Sequence, residues 1–217
     1  MKAAREEVLA SIRASLNRRP GTPAPPIPAM ARVQPRVAGP LEAEIELLFA
    51  EITKLSGVPR LLAGRDALGP ALAELVRAEA VRKATLWTTP DLESLDLAGV
   101  LKALGVEIVP PQASKARVAE CELGVTGVDA ALPETGTLVL RSSPDRPRVV
   151  SLLPRVHLAI LRPAALRADL HQAFADVQGD GYCVFVTGPS RTADIELTLT
   201  LGVHGPKSLH VWLLAGC

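Results

Sequence analysis

The sequence of 217 residues is poor in cysteine and in aromatic residues. Its three cysteines, Cys121, Cys183 and Cys217, are far apart and form no CxxC pair. This spacing argues against a structural zinc site, a disulfide framework or an iron–sulfur cluster held by this chain alone. With three Phe, two Trp, one Tyr and a net charge of +1, the chain offers neither a base-stacking platform nor a field that attracts phosphate backbones. We therefore expect no nucleic acid as a partner.

Long apolar runs and metal-binding motifs are also missing. The N-terminal sequence MKAAREEVLASIRASL is charged and amphipathic and lacks the apolar centre of a secretory signal. No stretch approaches the roughly 20 apolar residues that a membrane span requires. The four histidines form no HxxxH or HExxH motif and no close cluster with carboxylates. Together with the unpaired cysteines, these absences predict a cytoplasmic protein with no membrane span and no metal site.

The charges are unevenly distributed along the chain. Residues 1–36 carry seven basic and two acidic side chains, a net charge of +5, whereas the remainder has a net charge of −4. Leu9, Ile12 and Leu16 have the spacing of an apolar stripe on a helix, and a proline-rich stretch over 19–28 predicts an extended linker. The helix either packs back on its own domain, docks on a partner, binds a membrane surface or belongs to a disordered tail.

Residues 1–40 are thus predicted to form a basic helix and its linker, and residues 41–217 an α/β domain. In the domain, apolar helical stripes alternate with short apolar strands, which predicts crossover connections and a mainly parallel sheet covered on both faces. Strands between 123 and 161 follow one another without helical spacers, so an antiparallel hairpin or mixed pairing is expected there. Asp66 is expected to cap the second helix of the domain. The predicted helices cover 41–55, 68–76, 92–104 and 163–175, and the predicted strands 84–88, 106–109, 123–126, 136–140, 149–152, 156–161, 182–187 and 209–214.

A polar loop, TGPSRTADIE (187–196), directly follows one of the predicted strands. Ligands of open α/β sheets bind outside the carboxyl ends of the strands, so this position predicts a ligand-binding loop. Asp194 and Glu196 are its candidate proton-transfer groups. The spacing matches neither a Walker A loop nor a GxGxxG motif, and the alternative is that the hydroxyl and carboxylate side chains cap a short helix. The ligand-binding candidates of the loop are Thr187, Gly188, Ser190, Arg191 and Thr192.

Two further glycine-containing segments carry candidate residues. In GVHGP (202–206), His204 is a candidate acid–base group and Gly205 a candidate ligand-binding residue. In Thr135-Gly136-Thr137, two hydroxyls flank a glycine that would let a ligand approach the backbone closely. The alternative for this second segment is a tight bend between strands.

Other reactive side chains are expected to have structural roles. His157, at the start of a predicted strand, is more typical of a structural residue, and Cys183 of a small buried hydrophobe. Neither Cys183 nor Ser190 has a base nearby in the sequence that would activate it as a nucleophile.

Four motifs together resemble a known family. They are GVTGVDAALPETGTLVL (124–140), SLLPRVH (151–157), TGPSRTADIE (187–196) and GVHGP (202–206). In order and spacing they are similar to the lactate-utilisation (LUD) domain family, and within it to the subfamily of lactate utilization protein C. The resemblance covers residues of about 40–214, and the basic N-terminal arm is also similar to that subfamily.

The resemblance implies a three-layer α/β/α sandwich like that of ribose-phosphate isomerase, glucosamine-phosphate isomerase and the CoA-transferases. It also implies a part in oxidising L-lactate to pyruvate, together with iron–sulfur partner proteins, in an L-lactate-oxidising, dehydrogenase-type complex. Because no side chain of this chain carries the two electrons, we expect it to hold no cofactor and to bind a small anionic ligand or its partners. The alternative is a stand-alone enzyme acting on a phosphorylated, CoA-linked or folate-like substrate.

Overall fold

In the computed structural model, the described residues are 2–17, 23, 26, 34–179, 181–192 and 200–216. The chain divides into two compact units, 1–34 and 35–217. In the first unit, helix α1 (Lys2–Ser15) confirms the predicted N-terminal helix. The predicted proline-rich linker lies almost entirely outside the described residues.

The second unit alternates helices with strands. Its helices are α2 (Leu41–Lys54), α3 (Leu68–Ala78), α4 (Pro90–Ser94), α5 (Leu97–Ala103), α6 (Lys115–Ala119), α7 (Val149–Leu152) and α8 (Leu170–Val177), with 3₁₀ turns at Arg65–Ala67, Pro133–Thr135 and Pro163–Ala165. Its strands are β1 (Val58–Leu62), β2 (Lys83–Leu86), β3 (Glu107–Ile108), β4 (Leu123–Gly127), β5 (Ala130–Leu132), β6 (Thr137–Arg141), β7 (Val156–Leu161), β8 (Cys183–Val186), β9 (Arg191–Thr192), β10 (Thr200–Leu201) and β11 (Ser208–Leu214).

The centre of the second unit is a six-stranded parallel sheet in the order β1-β11-β7-β4-β2-β3. Every residue of β7 is buried, as its continuous apolar sequence requires of a strand covered on both sides. Leu158 and Ile160 pack in one apolar cluster with residues of α3 and α5, whereas Ala159 and Leu161 pack in another with residues of α2. The alternation places helices on both faces of the sheet, so the predicted α/β class and covered parallel sheet are confirmed.

A small antiparallel sheet, in the order β5-β6-β8, packs beside the central one. Leu138 of β6 belongs to the same apolar cluster as α2, and Val139 packs with Ala173 and Val177 of α8. The expectation of a hairpin between 123 and 161 is confirmed, because β4 and β7 lie in the central sheet while β5 and β6 leave it.

Several predicted elements differ in the structure. Residues 149–152, predicted as a strand, form helix α7, since four residues, three of them apolar, are too few to show a period that separates helix from strand. The helix predicted over 92–104 is two helices, α4 and α5, with Asp96 between them in a left-handed conformation at φ 50°. Asp66 does not cap α3 but lies in the 3₁₀ turn before it. The helix predicted over 163–175 starts as a 3₁₀ turn, and α8 follows after Asp169, whose side chain accepts a hydrogen bond from the backbone N–H of Gln172.

Candidate functional site

The predicted ligand loop lies at a different end of the fold from the one expected. The prediction that the loop follows a strand of the parallel sheet was wrong. The loop follows β8, which belongs to the small antiparallel sheet. The loop instead reaches the amino ends of β7 and β11. The backbone N–H of Ser190 donates to the carbonyl of Pro206, and the N–H of Lys207 donates to the carbonyl of Arg155 just before β7.

The loop and the GVHGP segment form one hairpin-like unit. Strands β9 and β10 pair antiparallel, and the N–H of Gly202 donates to the carbonyl of Ser190. A Cβ on Gly205 would lie 3.1 Å from the Cβ of Ser190, so a residue without a side chain lets the two segments approach. Arg191 and Thr192 continue the loop as a strand in its described part. The two predicted proton-transfer residues, Asp194 and Glu196, lie outside the described residues.

A cavity of about 320 Å³ lies where this unit meets the amino ends of β7 and β11. It is called the amino-end cavity below. Six of the predicted site residues line it: Thr187, Gly188, Ser190, Arg191, His204 and Gly205. The structure adds Arg148, Ser151 and His157 to the lining. The described lining residues include arginines but no aspartate or glutamate, so the described part of the wall is positively charged.

The two arginines of the wall are held differently. The guanidinium of Arg191 donates to the carbonyl of Leu55 and, at 3.1 Å, to Oγ of Ser56. The guanidinium carbon of Arg148 lies 5.0 Å from the centre of the Tyr182 ring, a cation–π contact. Within the described part of the chain, no carboxylate or carbonyl accepts a hydrogen bond from the Arg148 side chain, so its five N–H donors are available to a ligand.

His157 is a cavity residue that the sequence places among structural residues. Its ring is 1% exposed, and its Nε2 lies 2.8 Å from Oγ1 of Thr126. Nδ1 is buried and has no hydrogen-bond partner among the described residues. Burial lowers the pKa of His157 to about 4, so the ring is neutral at pH 7. The sequence signal for this residue was its position in SLLPRVH (151–157), one of the four family motifs and one to which no function had been assigned.

The Thr135-Gly136-Thr137 segment is hydrogen-bonded to the start of the predicted ligand loop. Oγ1 of Thr137 lies 2.8 Å from Oγ1 of Thr135 and 2.9 Å from Oγ1 of Thr187, so a chain of hydroxyls joins the two motifs. Gly136 has φ 62°, and a Cβ on it would lie 2.9 Å from the backbone nitrogen of Ile52 in α2. Its lack of a side chain therefore permits close packing against α2.

Two free cysteines, Cys121 and Cys183, lie outside the cavity in the described part of the chain. Cys183 is half-buried rather than buried as predicted, since it lies on an edge strand of the small sheet. Burial raises the pKa of the Cys121 thiol to about 11, which makes it unreactive. Among the described residues, no three His, Cys, Asp or Glu side chains are grouped so as to hold a metal ion. None of the described helices has the length and apolar character needed to cross a membrane.

Comparison with known proteins agrees with the sequence motifs. A family model of the LUD domain matches residues 110–214. Lactate utilization protein C of Shouchella clausii is 34% identical over 149 residues, which cover 64% of this chain and 65% of that protein. The protein of the same name from Halalkalibacterium halodurans is 32% identical over 152 residues, which cover 65% and 66%. The chain thus spans slightly less than two thirds of the length of these relatives.

A solved structure supports the fold. A DUF162 family protein from Deinococcus radiodurans aligns with a TM-score of 0.61 at 19% identity, covering 82% of this chain and 100% of that one. The resemblance drawn from the four motifs is confirmed by these comparisons.

Proposed function

We propose that the protein takes part in lactate utilization by binding a small anionic ligand in the amino-end cavity, because a family model of the LUD domain matches residues 110–214. The relatives that share its sequence are named for lactate utilization, and the cavity gathers residues from three of the four motifs that carry the resemblance.

The observation that carries the proposal is the charge of the cavity wall. Arg148 and Arg191 face a cavity whose described lining has no carboxylate to neutralise them. A guanidinium binds a carboxylate through two parallel hydrogen bonds, and L-lactate and pyruvate are both carboxylates. His157 also lines the cavity, and its Nδ1 has no hydrogen-bond partner among the described residues. His204 is exposed and lines the cavity, and we assign it the acid–base role toward such a ligand.

The oxidation itself requires electron carriers that we place in partner proteins. Conversion of L-lactate to pyruvate releases two electrons and two protons, and cofactors perform such transfers in proteins. The three scattered cysteines of this chain do not make the four-cysteine set of an iron–sulfur cluster. We therefore assign the clusters to iron–sulfur partner proteins, with this chain binding the substrate or product.

Calorimetric titration of the full chain with L-lactate and with pyruvate tests the proposal. Both are expected to bind, and Arg148→Ala should weaken binding at least about tenfold, because a hydrogen bond to a charged group contributes about 1.5–3 kcal/mol. Arg155→Ala is the matched control, since Arg155 pairs with Glu79 and does not line the cavity. If neither acid binds at concentrations up to about 10 mM, which would reveal even a millimolar dissociation constant, the proposal is contradicted.

Growth on L-lactate provides a second, cellular measurement. A strain that lacks the gene and has no second copy should not grow on L-lactate, and the Arg155→Ala protein but not the Arg148→Ala protein should restore growth. Thermal unfolding of the protein with each ligand tests the alternative. If phosphate esters, CoA esters or folates raise the midpoint of unfolding while lactate and pyruvate do not, the result favours a stand-alone enzyme over a lactate-binding protein.

A further inference from the structure

Three threonine hydroxyls form a hydrogen-bonded chain that ends at the amino-end cavity. Oγ1 of Thr135 lies 2.8 Å from Oγ1 of Thr137, which in turn lies 2.9 Å from Oγ1 of Thr187. These three groups are called the hydroxyl chain below. Thr187 lines the cavity, whereas Thr135 and Thr137 do not, although the sequence predicts all three as ligand-binding residues.

The pairing of two strands brings the last two members of the hydroxyl chain together. In the antiparallel pair of β6 and β8, Leu138 lies opposite Val186. The next residues in register, Thr137 and Thr187, therefore face each other at the end of the pair. Gly136, which precedes Thr137, packs closely against the backbone of α2 and fixes the start of β6. The fold thus sets the distance between the two hydroxyls before a ligand arrives.

The number of protons in the hydroxyl chain limits how its hydrogen bonds can run. Each hydroxyl has one proton to donate, and the two hydrogen bonds of the chain use two of the three protons. Thr137 is 6% exposed, and among the described residues its hydroxyl has no partner other than Thr135 and Thr187. If Thr137 accepted from both neighbours, its own proton would be buried without an acceptor, which is costly. Thr137 therefore donates to one neighbour and accepts from the other.

Two arrangements remain, and they give Thr187 opposite roles. When Thr137 donates to Thr135, Thr187 donates to Thr137 and has only oxygen lone pairs left. When Thr137 donates to Thr187, the proton of the Thr187 hydroxyl is free. Thr187 is exposed, and no other described residue accepts a hydrogen bond from its hydroxyl, so this proton is available to a ligand. A ligand with an anionic oxygen favours this second arrangement, because such an oxygen accepts hydrogen bonds and donates none.

We propose that Thr187 donates a hydrogen bond to an anionic oxygen of the ligand in the amino-end cavity, and that Thr137 is the positioning residue that holds the Thr187 hydroxyl in this arrangement. The inference rests on the function proposed above, since it concerns the same cavity. Hydrogen bonds in a chain polarise one another, so the bond that Thr187 accepts from Thr137 strengthens the bond that it donates to the ligand. Thr135, which is exposed, donates to Thr137 and accepts from water.

Calorimetric titration of the full chain with L-lactate, pyruvate and inorganic phosphate tests the inference. Thr137→Val replaces the buried hydroxyl with a methyl group and should weaken binding about threefold to tenfold, the usual contribution of one hydrogen bond. Thr137→Ser keeps the hydroxyl and should retain most of the affinity. Thr53→Val is the matched control with unchanged affinity, because the Thr53 hydroxyl donates to the carbonyl of Phe49 within α2. Equal affinities of the natural protein and Thr137→Val would overturn the inference.

A double variant separates this positioning role from a purely structural one. A cross-strand pair of threonines also stabilises a sheet, so a loss of stability in Thr137→Val agrees with either role. If Thr137 acts through Thr187, adding Thr137→Val to Thr187→Val should weaken binding by less than about twofold. The full effect of Thr137→Val in that background would overturn the inference. Because Thr187 is exposed, Thr187→Val also tests the donor alone: an affinity equal to that of the natural protein would overturn the inference even if Thr137→Val did not fold.

The three anions distinguish failure of the inference from failure of the proposed function. If L-lactate or pyruvate binds the natural protein and Thr137→Val equally, the function stands and the inference is wrong. If phosphate alone binds and the variants weaken its binding as expected, the lactate function is wrong and the inference stands for a phosphate group. If none of the three binds at concentrations up to about 10 mM, both are contradicted.

Discussion

The imidazole of His157 is buried with one of its two nitrogens hydrogen-bonded and the other without a partner. Burial disfavours the charged ring, which is why its pKa falls from 6.5 to about 4. The same burial keeps the ring neutral over the pH range of a cell, so it can both donate and accept a hydrogen bond at the cavity wall. A charged group at this position would change the selectivity of the site for anions.

The pKa of His157 predicts a pH dependence of stability. Because the unfolded chain binds this proton at a higher pH than the folded protein does, the free energy of unfolding should fall as the pH decreases from 6.5 to 4. The loss due to this residue is about 3 kcal/mol. Urea unfolding of the natural protein and of His157→Gln at pH 7 and pH 4 measures it as the difference between the two proteins. An identical pH dependence in both would contradict the burial of a neutral ring.

Two glycines of β4 differ in how much room they have. A Cβ on Gly124 would lie 1.9 Å from the carbonyl oxygen of Val150 in α7, whereas nothing lies within 4 Å of a Cβ on Gly127. Gly124→Ala must displace α7 and should reduce the free energy of unfolding by about 3 kcal/mol or more. Gly127→Ala, on the same strand, should change it by less than about 1 kcal/mol. Equal costs in urea unfolding would show that α7 does not press on the strand.

At the scale of elements, the segment that precedes α2 is fastened by one buried ion pair. The guanidinium of Arg36 donates to both oxygens of the Glu44 carboxylate, at 2.9 and 2.7 Å, and to the carbonyl of Ala168. Glu44 is 5% exposed and also accepts a hydrogen bond from the N–H of Gly39. The hydrogen bond from Arg36 holds the pKa of Glu44 below its ordinary value. This pair joins the start of α2 to the segment before α8.

Arg36→Ala should therefore destabilise the protein by about 2–3 kcal/mol, because it leaves a buried carboxylate without its charged partner. Lys54→Ala is the control: it removes an exposed pair with Glu51 in the same helix and should cost less than about 1 kcal/mol. Thermal unfolding of the three proteins at pH 7 compares them. If the two variants are equally stable, the Arg36 pair does not fasten the segment.

At the scale of the molecule, the apolar core belongs to the second unit. The buried apolar residues of the described chain all lie between Leu48 and Leu214, within the unit of residues 35–217. Removing residues 1–34 should lower the thermal midpoint by less than about 2 °C. Removing residues 1–39 also removes Arg36 and should lower the midpoint by about 4 °C or more. A large effect of the shorter truncation would show that the first unit stabilises the second.

Hydrophobic patterns in the sequence predicted those helices and strands in which the buried residues are either continuous or regularly spaced. The VHLAIL run of β7 and the helical stripe of α2 were identified because their sequences each have one consistent explanation. Strand β1 was missed, since VPRLL contains a proline and is exposed or half-buried except at its last residue, as an edge strand allows. Helix α7 was mistaken for a strand because four residues are too few to show a period.

The sequence by itself determined the α/β class, the family resemblance and six of the residues that line the amino-end cavity. Each of these depends on the order of residue types along a segment, which is a local property. Only the tertiary structure decided that β8 pairs with β6, that the predicted loop lies at the amino ends of β7 and β11, and that Arg148 joins Arg191 in the cavity wall. Strand pairing and the contacts of a long side chain join residues far apart in the chain, so no local pattern records them.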